Sequence, residues 1–91
     1  FADAPITHSV ELAHSVCKWL EGADSSYRDM FASRVSRLAR GDSSYALSKA
    51  LHTGGRFAYR VFEAKLDAGQ RILWTKLLRD TTPTILVSES P

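Results

Sequence analysis

An all-α domain, a small bundle of three to four helices with a short extended C-terminal tail, is the fold this sequence predicts. Three observations carry it. Apolar residues recur at helical spacing through most of the 91 residues. Glycines stand where the periodic runs stop, at Gly22, Gly41 and Gly54-Gly55. The tetrapeptide Asp-Ser-Ser-Tyr stands where two of the next runs start, at residues 24–27 and again at 42–45. Residues 1–8 then form an arm, 9–80 the helical domain and 81–91 the tail.

The first helix is expected from Ser9 to Leu20. At 100° per residue Leu12, Ala13, Val16, Cys17, Trp19 and Leu20 share one half of the wheel, and Glu11, His14, Ser15, Lys18 and Glu21 fill the other. Gly22 closes it in a left-handed stop. Asp24, Ser25 and Ser26 can accept hydrogen bonds from the free amides of a second helix, and Ser26 with Asp29 makes an S-x-x-D capping pattern. Tyr27, Met30, Phe31, Val35 and Leu38 are its apolar positions, and Gly41 ends it. Asp42, Ser43 and Ser44 are expected to start a third helix, with Tyr45, Leu47, Ala50 and Leu51 apolar. The residues that follow the two copies differ, so the tetrapeptide reads as one capping signal used twice and not as an internal repeat.

The fourth helix is expected from Arg56 to Leu78. Phe57, Val61, Ala64, Ala68 and Ile72 follow a four-three-four-four stripe, which over this length makes a rod of about 34 Å. Gly69 opposes it, at a cost of about 1 kcal/mol inside a helix. A stop at Gly69 leaves RILWTKLL and TILVSES as two strand-like segments joined by residues 79–83. On that alternative, residues 44–88 resemble the winged helix-turn-helix pattern, an α+β fold with a C-terminal hairpin. ALSKAL supplies the supporting helix, HTGG the turn and RFAYRVFEAKLDAG the recognition helix. The turn departs from the pattern by an extra glycine and lacks the small apolar residue expected near Gly55. The resemblance implies nucleic-acid binding, with Arg56 and Arg60 one turn apart and reaching phosphates or guanine edges.

Composition narrows the function classes. Hydrophobic residues make up 44% and charged residues 24%, a balance that supports one folded domain and argues against disorder. The single cysteine, Cys17, excludes an internal disulfide. No apolar run approaches the ~20 residues of a bilayer-spanning helix, so no integral membrane segment is expected. Phe1 in place of Met points to a processed or excised chain whose leader is no longer visible. The net charge is only +2 but uneven: −3 over residues 1–26 and +6 over residues 27–80. A basic middle of this kind suits an anionic partner, nucleic acid or lipid surface, or is neutralised within the fold.

Each candidate for chemistry has a plainer structural account. His14 and Cys17 are three apart, yet no second pair completes a zinc site, so no metal and no cofactor are expected. Ser48 with His52, and Glu63 with Asp67, lie one helical turn apart without a nucleophile elbow, and Asp67 has Arg71 four residues on. Gly54-Gly55-Arg56 lacks the strand and lysine of a phosphate-binding loop. Arg40-Gly41-Asp42-Ser43 matches the integrin-binding tripeptide, and a glycine stop followed by an aspartate cap accounts for the same letters. No catalytic residue is expected.

A second apolar stripe, Phe62, Leu66, Leu73 and Leu77, lies on a different side of the expected fourth helix from the first and supplies the partner-binding residues. The reading is therefore a non-catalytic helical interaction or assembly domain, an adaptor or accessory subunit that binds another protein or itself. The alternatives are the winged-helix nucleic-acid binder, with Arg56 and Arg60 as contacts, and an amphipathic helical protein on a membrane surface.

Overall fold

A computed structural model describes residues 5–42, 44, 47–51, 60–67 and 69–91 of the chain. Among them run β1 (Ser9–Leu12), α1 (His14–Gly22), α2 (Ser25–Ala39), β2 (Lys49–Ala50), β3 (Phe62–Lys65), β4 (Arg71–Arg79) and β5 (Thr82–Glu89). The strands form one mixed sheet in the order β1-β5-β4-β3-β2. Every pairing is antiparallel except that of β1 with β5. The protein is α+β, and the all-α bundle is overturned.

The first correction falls on the N-terminus. Ser9–Leu12 is not the first turn of a helix but an outer strand, with Val10 opposite Ile85 and Leu12 opposite Val87. Pairing with a long neighbouring strand outweighs the helical spacing of four residues. The helix starts only at His14, and Val16 is its fully buried residue. Gly22 is its last residue and not a left-handed stop.

The second helix follows the expected chemistry more closely. Asp24 is its N-cap, and its carboxylate accepts from the Tyr27 N–H at 3.1 Å. At the far end Gly41 has φ +83°, the Gly41 N–H bonds Leu38 O, and the Asp42 N–H bonds Arg37 O, the paired bonds of a Schellman stop. The second Asp-Ser-Ser-Tyr works differently. Asp42 accepts from the Ser44 N–H at 2.9 Å and pairs with Arg37 at 2.8 Å, but among the described residues no third helix follows, and Lys49–Ala50 is a strand.

The largest correction concerns the expected fourth helix. Phe62–Lys65 and Arg71–Arg79 are strands, joined by a turn in which the Asp67 carboxylate accepts from the N–H groups of Gly69 and Gln70, both at 2.9 Å. The residues assigned to an extended tail form β5. A two-residue turn at Asp80 and Thr81, with φ of 49° and 69°, closes the β4–β5 hairpin, as a type I′ turn requires. The hairpin lies where the winged-helix alternative placed its wing, but β3 runs through the residues of its recognition helix, and that alternative falls with the bundle.

Both helices pack on one face of the sheet. Val16, Phe31 and Leu38 meet Ala64, Leu66, Ile72, Trp74, Ile85 and Val87, with Leu47 beside them. Trp74 sits at the centre. It is 1% exposed, stacks on Phe62 at 4.6 Å, and donates its indole N–H to Leu47 O at 2.7 Å. The register of β5 shifts by one residue between Leu73 and Trp74, with Ser88 as the extra residue, so Ile85 and Val87 join Trp74 on the helix-covered face.

Gly41 is the one described glycine whose backbone a side chain resists, because a Cβ there carries the strain of φ +83° and meets Thr7 Oγ1 at 3.4 Å. Gly41→Ala is expected to cost about 1 kcal/mol, or about 4–8 °C of melting temperature in a domain this small. Thermal unfolding followed by circular dichroism checks this, with Gly22→Ala as the comparison that shows no such loss.

Candidate anion-binding groove

On the sheet face turned away from the helices, the ends of β2, β3 and β4 carry a cluster of charge. Register sets it. Lys49 lies opposite Glu63, Glu63 opposite Leu73, and Lys65 opposite Arg71. Ala64 and Ile72 point into the core, so by alternation Glu63, Lys65 and Arg71 point the other way. Together with Asp67, Gly69 and Gln70 they line a recess of about 240 Å³.

Placing Lys65 and Arg71 directly across from one another is unfavourable, because like charges in a cross-strand pair repel. Glu63 relieves part of this. Its carboxylate lies 3.2 Å from Arg71 Nε, and its side chain is 13% exposed against 59% for Arg71. Lys49 and Lys65 have no side-chain partner among the described residues. Three cations thus share the recess with two carboxylates, Glu63 paired with Arg71 and Asp67 engaged by Tyr27 and the turn amides.

Helix α2 holds this end of the sheet in place through polar contacts. Arg34 donates from Nε to Lys65 O at 3.1 Å and from Nη2 to Leu66 O at 3.3 Å. Tyr27 donates its hydroxyl to Asp67 Oδ2 at 2.7 Å. That bond, with the Gly69 and Gln70 amides, holds the Asp67 carboxyl below its usual range, and the same bond raises the Tyr27 hydroxyl. The β3–β4 turn therefore presents Lys65, Gln70 and Arg71 from a braced backbone.

The expected partner-binding stripe is divided. Leu66 is 3% exposed and belongs to the core, and Phe62 packs against it through Trp74. Leu73 and Leu77 are half-buried on the opposite face of β4. A helix would have brought the four together; two strands do not. Arg60 is exposed, and its carbonyl accepts from Thr75 Oγ1 at 2.6 Å. It stands about 16 Å along the strand from Lys65. Arg56 lies outside the described residues, as do Gly54, Gly55 and His52. His14 and Cys17 are both exposed on α1, and among the described residues no three His, Cys, Asp or Glu side chains gather to hold a metal ion. Arg71 pairs with Glu63 and not, as its helical spacing suggested, with Asp67. Asp42 of the Arg-Gly-Asp tripeptide is buried against Arg37.

The groove residues were missed because the strand period was missed. Phe62, Ala64 and Leu66 alternate with Glu63 and Lys65, and Ile72 and Trp74 alternate with Arg71 and Leu73. With Asp67 to Gln70 as the turn between them, that pattern describes a hairpin whose outer face is charged.

Because Asp67 is more acidic in the folded chain than the ordinary aspartate value of 3.8, its contribution to stability is full above that value and is lost as pH falls through the lower, folded one. Wild type is expected to lose melting temperature steeply below pH 3.8, and Asp67→Asn less steeply over the same range. Melting curves taken from pH 6 to about 2.5 compare the two.

Among the described residues no helix is long and apolar enough to cross a membrane. Comparisons with protein-family models, with curated proteins and with solved structures find nothing that matches this chain.

Proposed function

We propose that this domain is a non-catalytic binding module that takes the phosphate backbone of a single-stranded nucleic acid in the groove of Lys49, Lys65 and Arg71. The observation that carries this reading is the cross-strand juxtaposition of Lys65 with Arg71, a repulsive arrangement that a bound anion relieves. Glu63 and Asp67 offset two of the three cations, so the recess stays positive by a single charge. Its width argues for a single strand. From β2 to β4 is about 10 Å, two strand spacings, which suits one phosphate backbone and is narrower than a duplex. Gln70 also lines the recess, and its amide side chain carries a donor and an acceptor that suit a sugar or base edge.

A second reading, self-association through β1, is favoured by a different observation. Among the described residues β1 is an outer strand, paired with β5 on one side only. Ala13 N–H bonds Val87 O, so the odd-numbered residues face β5 and the N–H and C=O groups of Val10 and Leu12 point outward. Val10 and the nearby Ile6 are 38% and 67% exposed. Such an edge invites another strand.

Two measurements test these readings. A fluorescein-labelled single-stranded 12-mer RNA is expected to bind at low salt. Changing Lys49 and Lys65 together to Gln weakens it about tenfold or more and lowers the slope of log K against log salt by about 1.4, the loss of two single-strand phosphate contacts. An unchanged affinity in the folded double variant, or no binding by wild type, refutes the nucleic-acid reading. Sedimentation equilibrium addresses the edge: Val10→Lys is expected to shift a dimer to monomer, and a wild type that is monomeric at high concentration removes the second reading.

A further inference from the structure

The β1 edge has few groups to offer, and they restrict what can pair with it. Among the described residues its unpaired backbone groups are the N–H and C=O of Val10 and of Leu12, because Ser9, Glu11 and Ala13 face β5. Upstream the edge is closed. The N–H groups of Thr7 and His8 both donate to Ala39 O at the end of α2, at 2.8 and 3.0 Å. Downstream the chain enters α1 at His14.

A second copy fits such an edge in few ways. A parallel ladder sets a bonding residue opposite a non-bonding one, so a strand cannot pair with its own copy that way about a two-fold axis, and the closed dimer is antiparallel. The outward residues then lie opposite one another, which leaves an axis at Val10, Glu11 or Leu12. An axis at Leu12 sets Val10 against His14 of the second copy, already within α1. One at Val10 sets Leu12 against His8, whose N–H is taken by Ala39 O, and strands the Leu12 carbonyl. With the axis at Glu11, Val10 meets Leu12 of the second copy, and reciprocal hydrogen bonds use every free group on both edges.

We propose that two copies join β1 to β1, antiparallel, about a two-fold axis at Glu11, and that the Arg79–Glu11 pair is the condition for this contact. The inference rests on the reading of β1 as a self-associating edge and adds to it the register and the charge rule. Val10, 38% exposed, and the half-buried Leu12 form apolar pairs on the helix-covered face, where they already lie opposite Ile85 and Val87. On the other face the two Glu11 carboxylates come directly opposite one another, a repulsive arrangement. Each is held by two Arg79 donors, at 2.9 and 3.2 Å. The axis therefore crosses a row of two carboxylates between two guanidiniums, which carries no net charge.

The test is disulfide trapping of the chain in a Cys17→Ser background with oxidised glutathione. Glu11→Cys is expected to cross-link to its own copy, because the non-hydrogen-bonded pair at the axis brings the Cα atoms to about 4.5 Å. Val10→Cys is expected not to, since it meets its own copy only on the diagonal, about 7–8 Å away. Sedimentation equilibrium reads the charge rule: Arg79→Gln weakens the dimer about tenfold, and Glu11→Gln added to it restores the loss. Cross-linking through Val10 and not Glu11, or through neither in a dimeric protein, overturns the register and leaves the edge reading standing. A dimer that Arg79→Gln leaves unchanged refutes the charge rule, and a wild type that is monomeric at high concentration removes edge and register together. Should Glu11→Cys not fold, an equimolar mixture of Val10→Cys and Leu12→Cys chains decides. A mixed disulfide is expected across that opposed pair, about 5.5 Å between Cα atoms, and its absence overturns the proposal.

Discussion

The position of the Trp74 indole is the constraint on which the rest of the structure depends. Its ring stacks on Phe62 of β3, its N–H reaches Leu47 O before β2, and its backbone pairs with Phe62 and with Val87 of β5. A side chain of this size contributes more buried area than any other in so small a core, and its one polar atom is satisfied. A slip of one residue between β3 and β4 would expel Trp74 and Ile72 from the core and turn Arg71 and Leu73 inward. The register that places Lys65 opposite Arg71 is therefore enforced from the other side of the sheet. The charged pair need not be stable on its own terms, because the cost of breaking it up is the cost of unseating the indole.

The uneven charge of the sequence resolves into two parts. Some of the basic middle is neutralised inside the fold: Arg37 by Asp42, Arg79 by Glu11 and Arg71 by Glu63. The Arg79–Glu11 pair joins the acidic N-terminal quarter to the basic remainder, which is the self-neutralising arrangement that composition alone allowed. The arginine side chains of these pairs are 42% to 59% exposed, so screening leaves each a small contribution to stability. What they do is decide which cations remain. Lys49 and Lys65 are left unpaired together on one recess because β2 lies beside β3, whereas the exposed Arg60 and Lys76 lie elsewhere.

The helices were legible in the sequence because their determinants are local. Val16, Trp19 and Leu20 repeat at helical spacing, Asp24 caps its own helix, and Gly41 stops it. The strands were not, and the reason is specific. Phe57, Val61, Ala64, Ala68 and Ile72 match a helical stripe by spacing, but the buried positions from 61 to 74 include Leu66 and Trp74, which no such stripe contains. The true pattern is two short alternating runs separated by the turn between Asp67 and Gln70, and β5 carries a register shift at Ser88. Short apolar runs leave helix and strand indistinguishable by periodicity. β1 was hidden more deeply, because four residues take strand geometry only when β5 is beside them, and that pairing spans most of the chain. The groove inherits this dependence: Lys49, Glu63, Lys65 and Arg71 are a cluster only through three strands, and no local signal in the sequence joins them.

The placement of these cations on strands has a consequence for how they act. A lysine on an isolated loop loses conformational freedom when it meets a ligand, and that loss offsets much of the attraction. Here the backbone under Lys65 is fixed twice over, by the β3–β4 ladder and by the Arg34 guanidinium bonded to its carbonyl, and the turn beside it is fixed by Tyr27 through Asp67. Both anchors come from α2, so the helix that buries Phe31 and Leu38 in the core also sets the geometry of the charged end of the sheet. Only side-chain freedom is left for a ligand to restrict. The electrostatic repulsion between Lys65 and Arg71 has already been met by folding, and an anion that enters between them recovers it without moving the backbone.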